Sequence, residues 1–115
     1  MSLERVLRAL ESFGLSPFES EVYVYLAKTG PCKPGQLAHG LGMPERQVNT
    51  ALNGLEKKGI AVTKPNYDKL FCAISFEELL DLFIRLNKAK TKIIRETKQD
   101  LISSWRETIE KNTHN

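Results

Sequence analysis

The stretch that most constrains the fold of this chain runs from Met43 to Gly59, with the sequence MPERQVNTALNGLEKKG. Proline is tolerated in the first turn of a helix, where its missing N–H has no partner, and glycine takes the left-handed conformation that ends many helices. Between them, apolar residues recur at the i, i+3, i+4, i+7 spacing of one buried stripe. The stripe consists of Val48, Ala51, Leu52 and Leu55. The stretch therefore predicts one amphipathic helix over residues 44–58.

The side of this helix opposite the stripe is polar and carries no acid. Arg, Asn, Gln and Thr side chains form hydrogen bonds to phosphates and to base edges. The exposed side comprises Arg46, Thr50, Asn53 and Lys57, with Gln47 and Asn49 beside it. We interpret the helix as a candidate DNA-recognition helix that enters the major groove. An ordinary solvated helix face has the same composition and stays open as an alternative.

The spacing of Ala38, Gly42 and Val48 is typical of a helix-turn-helix. A small residue lets two helices cross closely, and glycine takes the positive φ of a tight turn. An aliphatic residue then fills the crossing from the second helix. We expect a short helix over residues 34–41 with Leu37, Ala38 and Leu41 buried. Lys33 and Gln36 lie near its amino end and are candidate phosphate contacts, because free backbone N–H groups there favour an anion.

The positive charge is concentrated around this motif. The 115-residue chain has a formal net charge of +3, and 41% of its residues are hydrophobic, as expected for one globular domain. Residues 1–27 hold two basic and four acidic side chains, whereas residues 28–69 hold seven basic and three acidic ones. A local excess of this kind suits a phosphate-bearing partner such as double-stranded DNA.

Two further helices are predicted ahead of the motif. Leu3, Val6, Leu7, Leu10 and Phe13 form a helical stripe that Gly14 ends. Ser16-Pro17-Phe18-Glu19 is a capping box, which favours a helix over 17–29 with Phe18, Val22, Tyr25 and Leu26 facing inward. The run EVYVYL within it alternates like a strand, so a strand is the competing interpretation.

After Gly59 the apolar period changes to two. Ile60 and Val62, then Leu70, Cys72 and Ile74, alternate with other residues and predict a β-hairpin. A hairpin directly after a helix-turn-helix makes a winged helix. Its connector, residues 64–69, is the candidate wing that reaches the DNA backbone or minor groove. The wing candidates are Lys64, Asn66, Tyr67 and Lys69. A plain surface turn is the alternative for these residues.

Residues 14–82 resemble the winged-helix domain of the archaeal TrmB-like transcriptional regulators and, more distantly, MarR-type and ArsR-type repressors. The resemblance is carried by Gly14-Leu15-Ser16, Val22-Tyr23, Leu55-Glu56-Lys57-Lys58-Gly59-Ile60 and Phe71-Cys72-Ala73. It implies operator binding as a homodimer. The resemblance also implies that sugar-sensing members carry a large effector domain after the winged helix. This sequence is too short to hold such a domain, and no small-molecule effector is identifiable from it.

From Ser75-Phe76-Glu77-Glu78, a second capping box, no glycine or proline interrupts the chain up to about residue 111. The run predicts one long helix of roughly 50 Å, too long for a 75-residue domain to cover. We expect a winged helix over 1–75 and a dimerisation helix over 76–115, in a mainly α fold with one small hairpin. A helix folded back on its own domain is the alternative. The expected dimer contacts are Leu79, Leu82, Phe83, Leu86, Ile93, Ile94, Leu101, Ile102, Trp105 and Ile109.

Other functions find little support in the sequence. Cys32 and Cys72 form neither a disulfide framework nor a zinc pattern. Cys32 is a candidate redox thiol beside Lys33, or half of a metal site with His39, although small structural roles are commoner. No catalytic set, cofactor motif, membrane span or signal peptide is present, so we expect a cytoplasmic protein that is not an enzyme. A winged helix used only for protein interaction or assembly is the competing function.

Overall fold

The computed structural model describes residues 2–64, 70–86 and 91–110. The chain divides into two compact units, Leu15–Ile74, and Met1–Gly14 together with Ser75–Asn115. The helices are α1 (Ser2–Ser12), α2 (Pro17–Thr29), α3 (Pro34–Leu41), α4 (Glu45–Lys57), α5 (Phe76–Leu86) and α6 (Thr91–Trp105), followed by a π-helical turn over Arg106–Glu110. The strands are β1 (Ala61–Thr63) and β2 (Phe71–Ala73), which pair in antiparallel fashion.

The capping box before α2 forms as predicted. The Glu19 backbone N–H donates to Ser16 Oγ at 3.1 Å, and the Ser16 N–H donates to Glu19 Oε1 at 2.8 Å. The run EVYVYL is therefore helical. Because α2 contacts α3, α4 and β2, it buries more than one face, and Tyr23 and Val24 are buried in addition to Val22 and Leu26.

One predicted inward position of α2 is wrong, because Phe18 is 47% exposed. Tyr25 is half-buried and packs against α3, where a Cβ on Gly40 would lie 2.0 Å from its hydroxyl oxygen. The position of Phe18 fits the apolar period, but the period does not show which neighbours surround each turn. The buried Tyr23 hydroxyl donates to the Ile74 carbonyl oxygen at 2.9 Å, so α2 is tied to the chain that follows β2.

The turn between α3 and α4 confirms the helix-turn-helix. Gly42 has φ 67° and ψ 32°, and the Met43 N–H donates to the Ala38 carbonyl oxygen at 3.1 Å. Gly42 thus ends α3 in the left-handed conformation, in which a residue with a side chain would be strained. Ala38 and Val48 are both buried, as the spacing requires, whereas Leu41 is half-buried rather than buried.

The predicted hairpin forms directly after the end of α4. Ile60 N–H donates to the Leu55 carbonyl at 2.9 Å, and Gly59, with φ 79°, donates to Glu56 at 3.0 Å. Ile60 therefore belongs to the closing motif of α4. Its carbonyl oxygen also accepts from the Ile74 N–H at 3.0 Å, which continues the hairpin pairing one residue beyond β1. Alternation begins one residue later, so Ala61 and Phe71 are buried. Val62 is 45% exposed and its partner Cys72 half-buried.

A second link joins the hairpin to the loop before α3. The Cys32 N–H donates to the Phe71 carbonyl, and the Phe71 N–H donates to the Cys32 carbonyl, both at 2.9 Å. Cys32 is half-buried, and its Sγ lies 3.4 Å from Thr29 Oγ1. Its backbone thus anchors the hairpin to the helix-turn-helix.

The single long helix predicted over 76–111 is wrong. Lys98 Nζ lies 2.9 Å from Asp81 Oδ1, seventeen residues away in sequence, and Arg106 lies 3.2 Å from Glu77. In a continuous helix, residues seventeen apart would be about 25 Å apart. Helix α6 therefore runs back along α5, and Phe76 stacks on Trp105 with ring centroids 4.5 Å apart and planes at 4°.

This helical pair uses much of the predicted dimer stripe internally. Of that stripe, Leu79, Phe83, Leu101, Ile102, Trp105 and Ile109 are buried, Leu82 is half-buried, and Leu86 is 63% exposed. The side chains of Ile93 and Ile94 lie outside the described residues. Burial within one chain avoids the entropy cost of association, so fold-back competes well with a dimer seam.

Helix α1 packs with the C-terminal helices, which belong to the same compact unit. It contacts α6, and Phe13 meets Phe83 with ring centroids 5.3 Å apart. Val6, Leu10 and Phe13 are buried as predicted, whereas Leu3 is 43% exposed and Leu7 is half-buried. The winged helix is therefore assembled from residues 15–74 without α1.

Candidate nucleic-acid interface

The predicted recognition helix presents a polar ridge to solvent. Its buried stripe is complete, with exposures of 0% for Val48, 3% for Ala51, and 0% for Leu52 and Leu55. Apart from the buried stripe, α4 exposes two acids, Glu45 and Glu56, and six polar or basic side chains. The recognition ridge is this second set, namely Arg46, Gln47, Asn49, Thr50, Asn53 and Lys57. All six predicted positions therefore lie where a duplex can reach them.

One hydrogen bond orients the ridge from within. Thr50 Oγ1 donates to the Arg46 carbonyl oxygen at 3.0 Å. A hydroxyl has a single donor hydrogen, so Thr50 keeps only acceptor capacity for an external group. Donors on this ridge must therefore come from its guanidinium, ammonium and amide side chains.

The amino end of α3 is exposed at both predicted positions, Lys33 and Gln36. The Lys33 backbone N–H donates to Gln36 Oε1 at 2.9 Å, which commits that oxygen to the helix cap. Any phosphate contact by Gln36 would therefore use its amide nitrogen. The structure thus gives Gln36 a capping role that the sequence reasoning missed.

The base of the predicted wing is described, and its tip is not. Lys64 is exposed, and its backbone N–H donates to the Leu70 carbonyl at 2.8 Å, directly below the connector. Asn66, Tyr67 and Lys69 lie outside the described residues. Lys64 is therefore the wing candidate that the described part of the chain places.

A clamp between α2 and α4 fixes the recognition helix, and sequence reasoning missed it. Lys58 Nζ donates to both carboxylate oxygens of Glu19, at 3.0 and 2.9 Å, and Glu19 is 7% exposed. The same carboxylate caps α2 through Ser16. A Cβ on Gly54 would lie 2.0 Å from Glu19 Oε2, so a side chain at this position would displace the carboxylate.

The effect of Gly54→Ala on the free energy of unfolding should change sign when Glu19 is replaced by alanine. In the wild-type chain the new methyl group displaces the Glu19 carboxylate from Ser16 and Lys58, and we expect a loss of about 1 to 3 kcal/mol of unfolding free energy. In a Glu19→Ala background the space is open, so the same change should stabilise by up to about 1 kcal/mol, because alanine favours helix over glycine. Urea denaturation of the four proteins measures this coupling.

Gly35→Ala is the matched control for that cycle. Gly35 lies in α3, and a Cβ there would meet only Glu45 Oε1, at 3.7 Å, an ordinary contact. We expect it to stabilise equally in both backgrounds. If Gly54→Ala changes the free energy of unfolding in the same direction with and without Glu19, the clamp does not set the spacing of α2 and α4.

Metal and membrane roles find no site in the part of the chain that the structure describes. No group of three His, Cys, Asp or Glu side chains there could hold a metal ion. Among the same residues, no helix is both long and apolar enough to cross a membrane.

Comparison with known proteins points to one family. The model of the sugar-specific transcriptional regulator TrmB matches residues 10–77. The HTH-type sugar sensing transcriptional regulator TrmBL1 of Pyrococcus furiosus is 28% identical over 111 residues, which cover 89% of this chain and 33% of that protein. The DNA-binding HTH-type transcriptional repressor TrmBL2 of Thermococcus kodakarensis is 29% identical over 115 residues, 96% of this chain and 44% of the relative.

A solved structure agrees with these matches. The structure of TrmBL2, described as an archaeal chromatin protein with a novel mode of DNA binding, is similar with a TM-score of 0.71 and 29% identity. The match covers 93% of this chain and 42% of that one, so the chain spans less than half the length of the relatives named. These relatives are transcriptional regulators and not enzymes, in agreement with the sequence-based prediction.

Proposed function

The chain belongs to the TrmB family of transcriptional regulators, and on this premise we propose that it binds double-stranded DNA through the recognition ridge of α4. The observation that carries the proposal is the ridge itself, six exposed polar or basic side chains that include Arg46 and Lys57, backed by a fully buried stripe. The exposed acids of the same helix, Glu45 and Glu56, are not part of the ridge. Such a surface offers several donors to base edges and phosphates.

Within this proposal, the ridge lies in the major groove and reads sequence. Arg46 is suited to a guanine, because a guanidinium pairs with the O6 and N7 acceptors of that base. Asn49 and Asn53 can bond in the same way to adenine. Lys57 and Lys64 would contact phosphates, and the wing would follow the backbone or minor groove. The TrmBL2 structure is described as showing a novel mode of DNA binding, so groove placement requires its own test.

Fluorescence anisotropy with a labelled duplex at 50 and 200 mM salt tests DNA binding. If each chain neutralises two phosphates, affinity should fall about tenfold over this range, since the logarithm of the binding constant falls by about 0.9 per phosphate for each decade of salt. An interaction or assembly module without DNA binding would give no saturable signal at either salt. That result would refute the proposed function.

We further propose that the protein acts as a homodimer. A single ridge carries few cations, and a two-fold dimer would place two ridges in successive major grooves if they lay about 34 Å apart. Leu86, 63% exposed at the end of α5, and the half-buried Leu82 are the described members of the predicted stripe that remain available to a second copy. A palindromic binding site is the corresponding expectation.

Sedimentation equilibrium at micromolar concentration should therefore give twice the chain mass. Leu86→Ser should weaken the dimer, because it removes apolar area that association would bury. Arg85→Ser, at the neighbouring exposed position, is the matched control and should leave the mass unchanged. A monomer for the wild-type protein at this concentration would contradict the dimer.

A further inference from the structure

A shallow groove opens between the amino-terminal turn of α2 and one side of α4. It encloses about 270 Å³. Phe18, which is 47% exposed, stands at its edge, although its position in the helical period is one expected for the core. The groove is lined by Ser16, Phe18, Glu19, Arg46, Gln47, Thr50 and Ala51. Three of these residues belong to the recognition ridge, so groove and ridge form one continuous surface.

The groove is mostly apolar and electrically suited to a polyanion. Phe18 and Ala51 supply its apolar walls, and Arg46 places a cation on the lining. Glu19 is the one acid among the lining residues, and both of its oxygens accept from Lys58 Nζ, at 3.0 and 2.9 Å. The clamp therefore neutralises the group that would otherwise repel a phosphate chain.

We propose that this groove receives the 5-methyl group of a thymine in the major groove, beside the base that Arg46 contacts. This rests on the proposed function. The thymine methyl is the apolar group that base edges present in the major groove, and it pairs with apolar side chains. An exposed apolar surface rimmed by polar residues is typical of an interaction site, and here the polar rim is the DNA-facing ridge itself.

The test compares two duplexes of one A·T-rich sequence, one with thymine and one with deoxyuridine in its place. Deoxyuridine keeps the hydrogen-bonding groups and lacks only the methyl. We expect the wild-type chain to bind the thymine duplex about fourfold more tightly per bound chain, the ratio that corresponds to burying one methyl-sized group. Phe18→Ala should bring this ratio close to one, whereas Phe18→Leu should retain most of it.

Val62→Ala is the matched control, since Val62 is 45% exposed in the same unit and does not line the groove. Its thymine-to-deoxyuridine ratio should equal that of the wild type. An equal ratio in wild type and Phe18→Ala would overturn the inference, because the methyl would then act through DNA shape. A Phe18→Ala protein that loses self-association and keeps the ratio would also overturn it, and would assign the groove to a second copy.

Arg46→Ala distinguishes a failure of the thymine-methyl site from a failure of the proposed DNA binding. If Arg46→Ala weakens binding to the thymine duplex while the ratio is unaffected by Phe18→Ala, DNA binding by the ridge stands and the methyl site fails. If the wild-type chain binds neither duplex, the proposed function fails and the methyl site with it.

Discussion

Trp105→Ala should lower the free energy of unfolding by about 3 to 5 kcal/mol, the usual cost of removing a buried aromatic side chain. Trp105 is 5% exposed and stacks on Phe76, with ring centroids 4.5 Å apart. It therefore holds α6 against α5. Denaturation followed by circular dichroism measures the loss. The difference between the two proteins should be the same at every concentration at which they are compared, because the contact lies within one chain.

Arg106→Ala is the control at the neighbouring position. Arg106 is exposed and pairs with Glu77 at 3.2 Å, also exposed, so its removal should cost at most about 1 kcal/mol. One outcome for Trp105→Ala would instead support the single long helix predicted from the sequence. If Trp105→Ala leaves the monomer's stability unchanged but reduces the mass seen in sedimentation, Trp105 packs between chains and the fold-back of α6 is wrong.

Arg46→Ala should weaken DNA binding by about 1 to 3 kcal/mol per bound chain and relax preference at one base position, the expected cost of losing a bidentate guanine contact. The side chain is exposed on the recognition ridge and also lines the apolar groove. Anisotropy with a selected site and with single-base variants of it measures both effects.

The DNA affinity and base preference of Arg46→Ala are compared with those of two other variants, Lys64→Ala and Lys28→Ala. Lys64 is exposed at the base of the wing, so its loss should weaken all sequences alike and reduce the salt slope by about one. Lys28 is exposed near the carboxyl end of α2, away from the ridge residues in sequence, and should have little effect. If the three variants weaken binding equally and without base preference, Arg46 does not read sequence.

The helix-turn-helix could be predicted because its signals are local. The start of α2 follows from its capping box, the start of α3 follows from Pro34 at its first position, and Gly42 takes the positive φ that its turn demands. The buried stripe of α4 follows from periodicity alone. Local signals were misleading at Ile60. The alternating pattern assigns this residue to the strand, whereas its N–H takes part in the motif that closes α4.

Features that depend on partners distant in sequence could not be predicted. The apolar periodicity of residues 76–111 fits one long helix and two paired helices equally well. Contacts between residues distant in sequence, such as Lys98 with Asp81, distinguish the two arrangements. Lys58 and Glu19 lie 39 residues apart, and no spacing rule relates them. The exposure of Phe18 likewise depends on where α4 lies beside α2.

Titration of the isotopically labelled protein with duplex DNA, followed by amide and guanidinium NMR resonances, tests the proposed surface most directly. The largest shifts should fall on Glu45–Lys57, with the Arg46 guanidinium and the Phe18 ring among the affected side chains, and α5 and α6 should show much smaller changes. Shifts confined to α5 and α6, with the ridge unaffected at saturating DNA, would contradict DNA binding by α4.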